Sequence, residues 1–136
     1  MAARTKARRR AVEVLYESDL RGAPVSEALA SLDSRTQAAI NAYTEQIVVG
    51  VDAHRQQIDE TVSTYAQGWT LERMPAVDRA ILRVGTWELL WGDVPEAVAL
   101  AEAVGLANEL STDESGKYVN GVLARIRSVK SRMVLE

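Results

Sequence analysis

The chain has 136 residues, of which 47% are hydrophobic and 26% charged, and its formal net charge is −3. That length suits one domain built around one core. With no cysteine, disulfide frameworks and thiolate metal sites are excluded. No apolar run approaches the roughly 18–20 residues that cross a bilayer. The basic N-terminus is not followed by an apolar h-region, so a soluble, cytoplasmic protein is expected. The distribution of charge says more than its sum. Arg4, Lys6, Arg8, Arg9 and Arg10 place five cations and no acid in the first ten residues, whereas the rest of the chain holds 11 basic and 19 acidic side chains. A basic helix end on an acidic body points to an anionic partner.

Apolar residues recur at helical spacing along the whole chain, and no period-2 strand is visible. From about Thr5 to Leu20, residues Ala7, Ala11, Val14, Leu15 and Leu20 predict a buried face. Gly22-Ala23-Pro24 breaks this helix, and Val25, Ala28, Leu29 and Leu32 predict a short second one. Asp33 or Ser34 is a candidate cap for one long third helix, whose seam runs through Ile40, Tyr43, Ile47, Val51, His54, Ile58, Val62 and Tyr65 to a stop at Gly68. One helical turn fits between Trp69 and Met74. Pro75 suits the first turn of the next helix. Ala76 to Trp91 is apolar around most of its circumference, which predicts the buried centre of the domain. After Gly92 and Pro95 a further helix runs to about Glu109. Ser111-Thr112-Asp113-Glu114 reads as a capping box, with Ser111 as cap, and leads into a last helix carrying Tyr118, Val119, Val122, Leu123 and Ile126. The pattern fades after Ser128, so residues 129–136 and the first few residues are expected to fray. The reading is one all-α domain, residues 1–136, of six or seven helices.

Nothing in this sequence assembles a catalytic centre. The single histidine, His54, lies on the apolar seam without a second imidazole or thiol to share a metal, and reads as a partly buried core histidine. The eight glycines are scattered and form no phosphate-cradling loop. No enzyme, cofactor or metal is expected. The N-terminal cations oppose the positive end of a helix dipole and repel one another. A phosphate backbone would offset both costs and release counterions, and the planar guanidinium meets phosphate oxygens bidentately. A solvated basic tail without a partner explains the cluster equally well at this point.

Four segments carry a family resemblance. Arg8-Arg9-Arg10-Ala11-Val12-Glu13-Val14-Leu15-Tyr16, Val77-Asp78-Arg79-Ala80-Ile81-Leu82-Arg83-Val84-Gly85-Thr86-Trp87-Glu88-Leu89, Val94-Pro95 with Glu102-Ala103-Val104, and Asp113-Glu114-Ser115-Gly116-Lys117-Tyr118-Val119-Asn120-Gly121-Val122-Leu123 follow one another in register. Together they resemble the NusB family of bacterial transcription antitermination factors over about residues 5–127. The resemblance implies two packed three-helix bundles. It also implies binding of boxA-type single-stranded RNA of nascent ribosomal transcripts together with the ribosomal protein NusE, so that RNA polymerase in the elongation complex reads through terminators.

Carried over by position, Arg4, Lys6, Arg8, Arg9, Arg10, Glu114, Lys117 and Tyr118 would face RNA. Tyr16 and Asp78 would face NusE. For Tyr118 a stacking role and a core aromatic with its hydroxyl at the surface both stand. Asp78 could equally complement its helix dipole or pair with Arg79 or Arg83. Trp69, Trp87 and Trp91 read as core or dimer-face residues. The chain departs from the family pattern at Gly105-Leu106-Ala107-Asn108, where a lysine is lost and the glycine suggests a closer helix approach. The competing reading is a homodimeric helical interaction module with a masked or degenerate RNA surface, which apolar exposure on the third and fourth helices would favour. A DNA-binding helix-turn-helix fits less well, because the positive charge sits at a chain end rather than on a recognition helix.

Overall fold

The computed structural model describes residues 3–36 and 41–136, and of residues 33–36 the backbone alone. The first helix, α1, spans Ala3–Arg21 and buries Ala7, Arg8, Ala11, Val12, Val14, Leu15 and Ser18. Leu20, expected inside, is exposed. Gly22 adopts φ +64, the left-handed conformation that closes a helix, and Ala23 N–H donates back to the Ser18 carbonyl at 3.1 Å. Helix α2 (Val25–Thr36) follows Pro24. Asp33 and Ser34 therefore lie inside α2 rather than at the start of the next helix.

The seam expected to form one long helix is divided. Helix α3 (Ala42–Ala53) starts at Asn41, whose side chain accepts from Tyr43 N–H at 2.7 Å. Helix α4 (Arg55–Tyr65) restarts after His54, which leaves helical geometry at φ −110, ψ 18. One interposed residue barely changes the phase, so Tyr43, Ile47, Val51, Ile58 and Val62 are all buried; Ile40 lies outside the described residues. The helix ends before Gly68, at Tyr65. A 3-10 turn at Leu71–Arg73 and Pro75 lead into α5 (Ala76–Trp91). Every residue of α5 from Ala80 to Leu90 is buried, as its circumferential apolarity predicts.

Helices α6 (Glu96–Leu110) and α7 (Asp113–Val129) complete the fold. Helices α1, α2 and α3 pack on one another, as do α5, α6 and α7, and α5 also touches α1, α3 and α4. The architecture is all-α, two three-helix bundles joined along α5, with no strand among the described residues. Thr112, not Ser111, caps α7, accepting from Ser115 N–H at 3.0 Å. The tail expected to fray instead forms a 3-10 turn at Lys130–Arg132, and Gln57 donates to the Val134 carbonyl at 2.7 Å and accepts from Glu136 N–H at 3.1 Å.

Gly105 brings no helix close. A Cβ built there meets nothing within 4 Å, and the residue is exposed on α6. Gly105→Ala is expected to stabilise the protein by about 0.5–1 kcal/mol, by lowering the entropy cost of helix formation. Thermal unfolding checks this, as a rise of a few degrees.

Candidate nucleic-acid interface

The first turns of α1 carry the basic cluster, and helix geometry sorts it onto two faces. Residues 8, 11, 12 and 15 share the buried stripe, so Arg8 is inside, with only 2% of its surface exposed. This corrects its expected place on an RNA-facing surface. Its Nε donates to both Glu88 carboxylate oxygens, at 2.8 and 2.9 Å, and its Nη1 to Glu102 at 3.2 Å. Tyr43 hydroxyl also donates to Glu88, and Thr5 Oγ1 to Glu102 at 2.6 Å. Burial pulls the guanidinium pKa down, but the hydrogen bond and charge of Glu88 outweigh it and leave Arg8 raised. Burial pushes the Tyr43 phenol well above its ordinary range, and the bond to Glu88 pushes it further. The network staples α1, α3, α5 and α6 together.

The other four cations are accessible. Arg4 lies over the Tyr43 ring, 4.2 Å from its centroid, and reaches Asp93 at 3.3 Å. Arg9 pairs with Glu13 at 3.7 Å and with Glu109. Lys6, exposed, and Arg10, half-buried, have no hydrogen-bond or ion-pair partner among the described residues. Lys6, Arg9 and Arg10 thus form a basic strip on the open side of α1. Glu109 ties that strip to the end of α6, just before the first turn of α7.

On α7, Glu114 and Lys117 are exposed and lie 3.5 Å apart as an ion pair. Tyr118 is half-buried with its ring meeting Trp69 edge-on, centroids 5.0 Å apart and planes at 64°. Its hydroxyl is the buried end, without a partner among the described residues, the reverse of a core ring with a surface hydroxyl. Burial raises the phenol pKa, against the lowering effect of Arg125. Trp69 is 40% exposed and, with Gln67, Thr112, Glu114 and Tyr118, lines an open depression of about 320 Å³. Sequence reasoning placed this tryptophan in a core or dimer face. Its exposure rules out the core, and the residue follows Gly68 (φ +87) outside any helix.

Asp78 is fully buried; its Oδ2 accepts from Ser115 Oγ at 2.8 Å, locking the start of α7 to α5. It cannot touch a partner at the surface, which corrects that expectation, and Arg79 and Arg83 bond Asp19 and Asp59 instead. Tyr16, 39% exposed, lies in a shallow depression with Glu13, Glu17, Leu20 and Leu32. His54 is half-buried and stacks on Trp91, centroids 4.1 Å apart, while Trp87 belongs to the core. Among the described residues no group of His, Asp and Glu could hold a metal ion, and no helix is long and apolar enough to cross a membrane.

The NusB family model matches residues 5–128. The chain belongs to the NusB family. The transcription antitermination protein NusB of Thermobifida fusca (strain YX) is 56% identical over 133 residues, covering 97% of this chain and 94% of the relative. Among solved structures, T. maritima NusB superposes with a TM-score of 0.82 at 30% identity, covering 93% of this chain and 92% of the other. A crystal structure of the antitermination factors NusB and NusE in complex with dsRNA matches with a TM-score of 0.83 at 28% identity, covering 93% of this chain and 96% of that one. The family match extends from the basic strip to the end of α7, so both halves of the candidate interface lie within it.

Proposed function

We propose that this protein is a cytoplasmic transcription antitermination factor, acting as one RNA-binding domain. It binds boxA-type single-stranded RNA of nascent ribosomal transcripts together with NusE and helps RNA polymerase in the elongation complex to read through terminators. The role is binding and assembly, with no catalytic step. The observation that carries this reading is the open basic strip of Lys6, Arg9 and Arg10, which the Arg9–Glu109 pair ties to the end of α6, the helix that leads into the first two turns of α7 with Glu114, Lys117 and Tyr118. Relatives named as antitermination proteins and the fold's likeness to NusB in a NusB–NusE–dsRNA complex support it. Tyr16, with its exposed ring, is the residue assigned to NusE. Two proteins sharing one RNA turn weak contacts into tight ones, since the second association is intramolecular.

The test is salt-dependent titration of a boxA-type single-stranded RNA, a scrambled strand and a duplex, each with and without NusE. Each phosphate contact on a single strand contributes about −0.7 to the log–log salt slope. Arg4, Lys6, Arg9, Arg10 and Lys117 together therefore predict a slope near −3.5. Preference for boxA and tightening by NusE are expected; equal weak binding of all three nucleic acids, unaffected by NusE, would overturn the proposal.

A second reading has an observation of its own. Val49 is 55% exposed beside His54, Trp87 and Trp91 in a shallow apolar depression, a face suited to a second copy of the chain. In that reading homodimerisation masks the RNA surface. Sedimentation across micromolar concentrations, with RNA competing, separates the two.

A further inference from the structure

The depression between the loop after α4 and the first turn of α7 has the features of a binding site for one nucleobase. One wall is Trp69, which belongs to no helix and keeps 40% of its surface open. The other is Tyr118, whose ring meets Trp69 edge-on at 5.0 Å. The Tyr118 hydroxyl is turned inward, buried and without a partner among the described residues, so the ring rather than the hydroxyl faces the opening. Thr112 and Glu114 also line the depression; the Thr112 hydroxyl is held by Ser115 as the cap of α7, and the Glu114 carboxylate pairs with Lys117. Lys117 stands beside it, exposed, where a backbone phosphate would pass. A protein core would have buried this tryptophan; here a large aromatic surface stays open beside Glu114 and its ion-pair partner Lys117, which suits a flat ligand attached to a phosphate.

We infer that Trp69, with Tyr118, forms a stacking pocket that takes a single unstacked base of the bound RNA strand. The inference rests on the RNA-binding function proposed above and adds a residue and a ligand class to it. Stacking on an aromatic side chain tolerates any base, because every base has a π-face. The pocket would therefore contribute affinity and fix the register of the strand, while the basic strip on α1 holds its backbone.

The test combines protein and RNA changes. Wild-type protein, Trp69→Ala and Trp69→Phe are titrated with a 12-nucleotide boxA-type strand and with versions carrying one abasic nucleotide at each position in turn. Circular dichroism melting checks that the variants fold, as expected for a half-exposed loop residue. Trp69→Ala is expected to weaken binding of the intact strand roughly tenfold, and Trp69→Phe to recover most of that. One abasic position should weaken wild-type binding by a similar factor yet cost Trp69→Ala nothing further. Undiminished binding by Trp69→Ala overturns the pocket, and so does a loss that leaves the variant as sensitive as wild type at every abasic position. Both results would leave the RNA-binding function standing. If wild-type protein binds the intact strand no better than the scrambled one and shows no salt slope, the function itself fails, and the pocket with it.

Discussion

Glu88→Ala is expected to destabilise the protein by about 3–5 kcal/mol, because it strips a buried cation of its counter-charge. Arg8 would keep only its 3.2 Å bond to Glu102, and the Tyr43 hydroxyl would lose its acceptor. Against a total stability of roughly 5–15 kcal/mol, a loss of that size leaves little margin. Urea unfolding should show a large fall in midpoint with an unchanged slope. Arg8→Ala is expected to cost a similar amount, since it leaves the Glu88 carboxylate buried beside a neutral phenol. The double variant Arg8→Met/Glu88→Leu should recover much of the loss, as apolar side chains of similar volume often replace a buried ion pair at little cost. Single-variant losses below about 1 kcal/mol would mean that water reaches the pair. One practical consequence concerns RNA binding: a variant that includes Arg8→Ala would confuse unfolding with loss of phosphate contacts.

Arg4→Ala/Lys6→Ala/Arg9→Ala/Arg10→Ala avoids that confusion and is expected to have the largest effect on binding. Removing four phosphate contacts should flatten the salt slope by up to about 2.8 and weaken binding by roughly 10²–10³-fold at 0.1 M salt. Stability should hold or rise slightly. The ion pairs lost, Arg4 with Asp93 and Arg9 with Glu13 and Glu109, are solvent-exposed, and such pairs are worth about 0–1 kcal/mol each. The variant also removes positive charge from the positive end of α1, which favours the helix. Fluorescence anisotropy over a salt series, paired with thermal melting, checks both halves. An unchanged slope would place the RNA elsewhere on the molecule.

Much of the fold was legible in the sequence because it depends on local periodicity. The stripe through Ala7, Ala11, Val14 and Leu15, the break at Gly22-Ala23-Pro24 and the circumferential apolarity of α5 each report directly on a helix and its burial. The four NusB-like segments likewise lie in register in the sequence, and they were enough to name the family. Features that turn on one residue were harder to place. The α7 cap fell on Thr112 rather than Ser111, since both hydroxyls precede the same helix. His54 interrupts the long seam without a glycine or proline to mark the break.

The remaining differences arise where the energy of a residue depends on what the fold brings to it. Five N-terminal cations look alike as a list, yet Arg8 shares the stripe of Ala11, Val12 and Leu15, and Glu88, in the last turn of α5, waits opposite it 80 positions away. The spacing of Arg8 was readable; the partner that makes its burial tolerable was not. Asp78 was assigned to a surface and serves instead as an internal acceptor for Ser115, because packing of α5 against α7 brings a hydroxyl to it. Trp69, read as a core or dimer-face residue, is no core residue, because it stands half-open on the loop that follows the end of α4 at Tyr65. The sequence by itself determined most of the helices, the family and the location of positive charge, all of which follow from neighbours along the chain. Only the tertiary structure decided which charges are stability and which are surface, because the cost of burying a charge depends on whether a partner from a distant segment arrives to meet it.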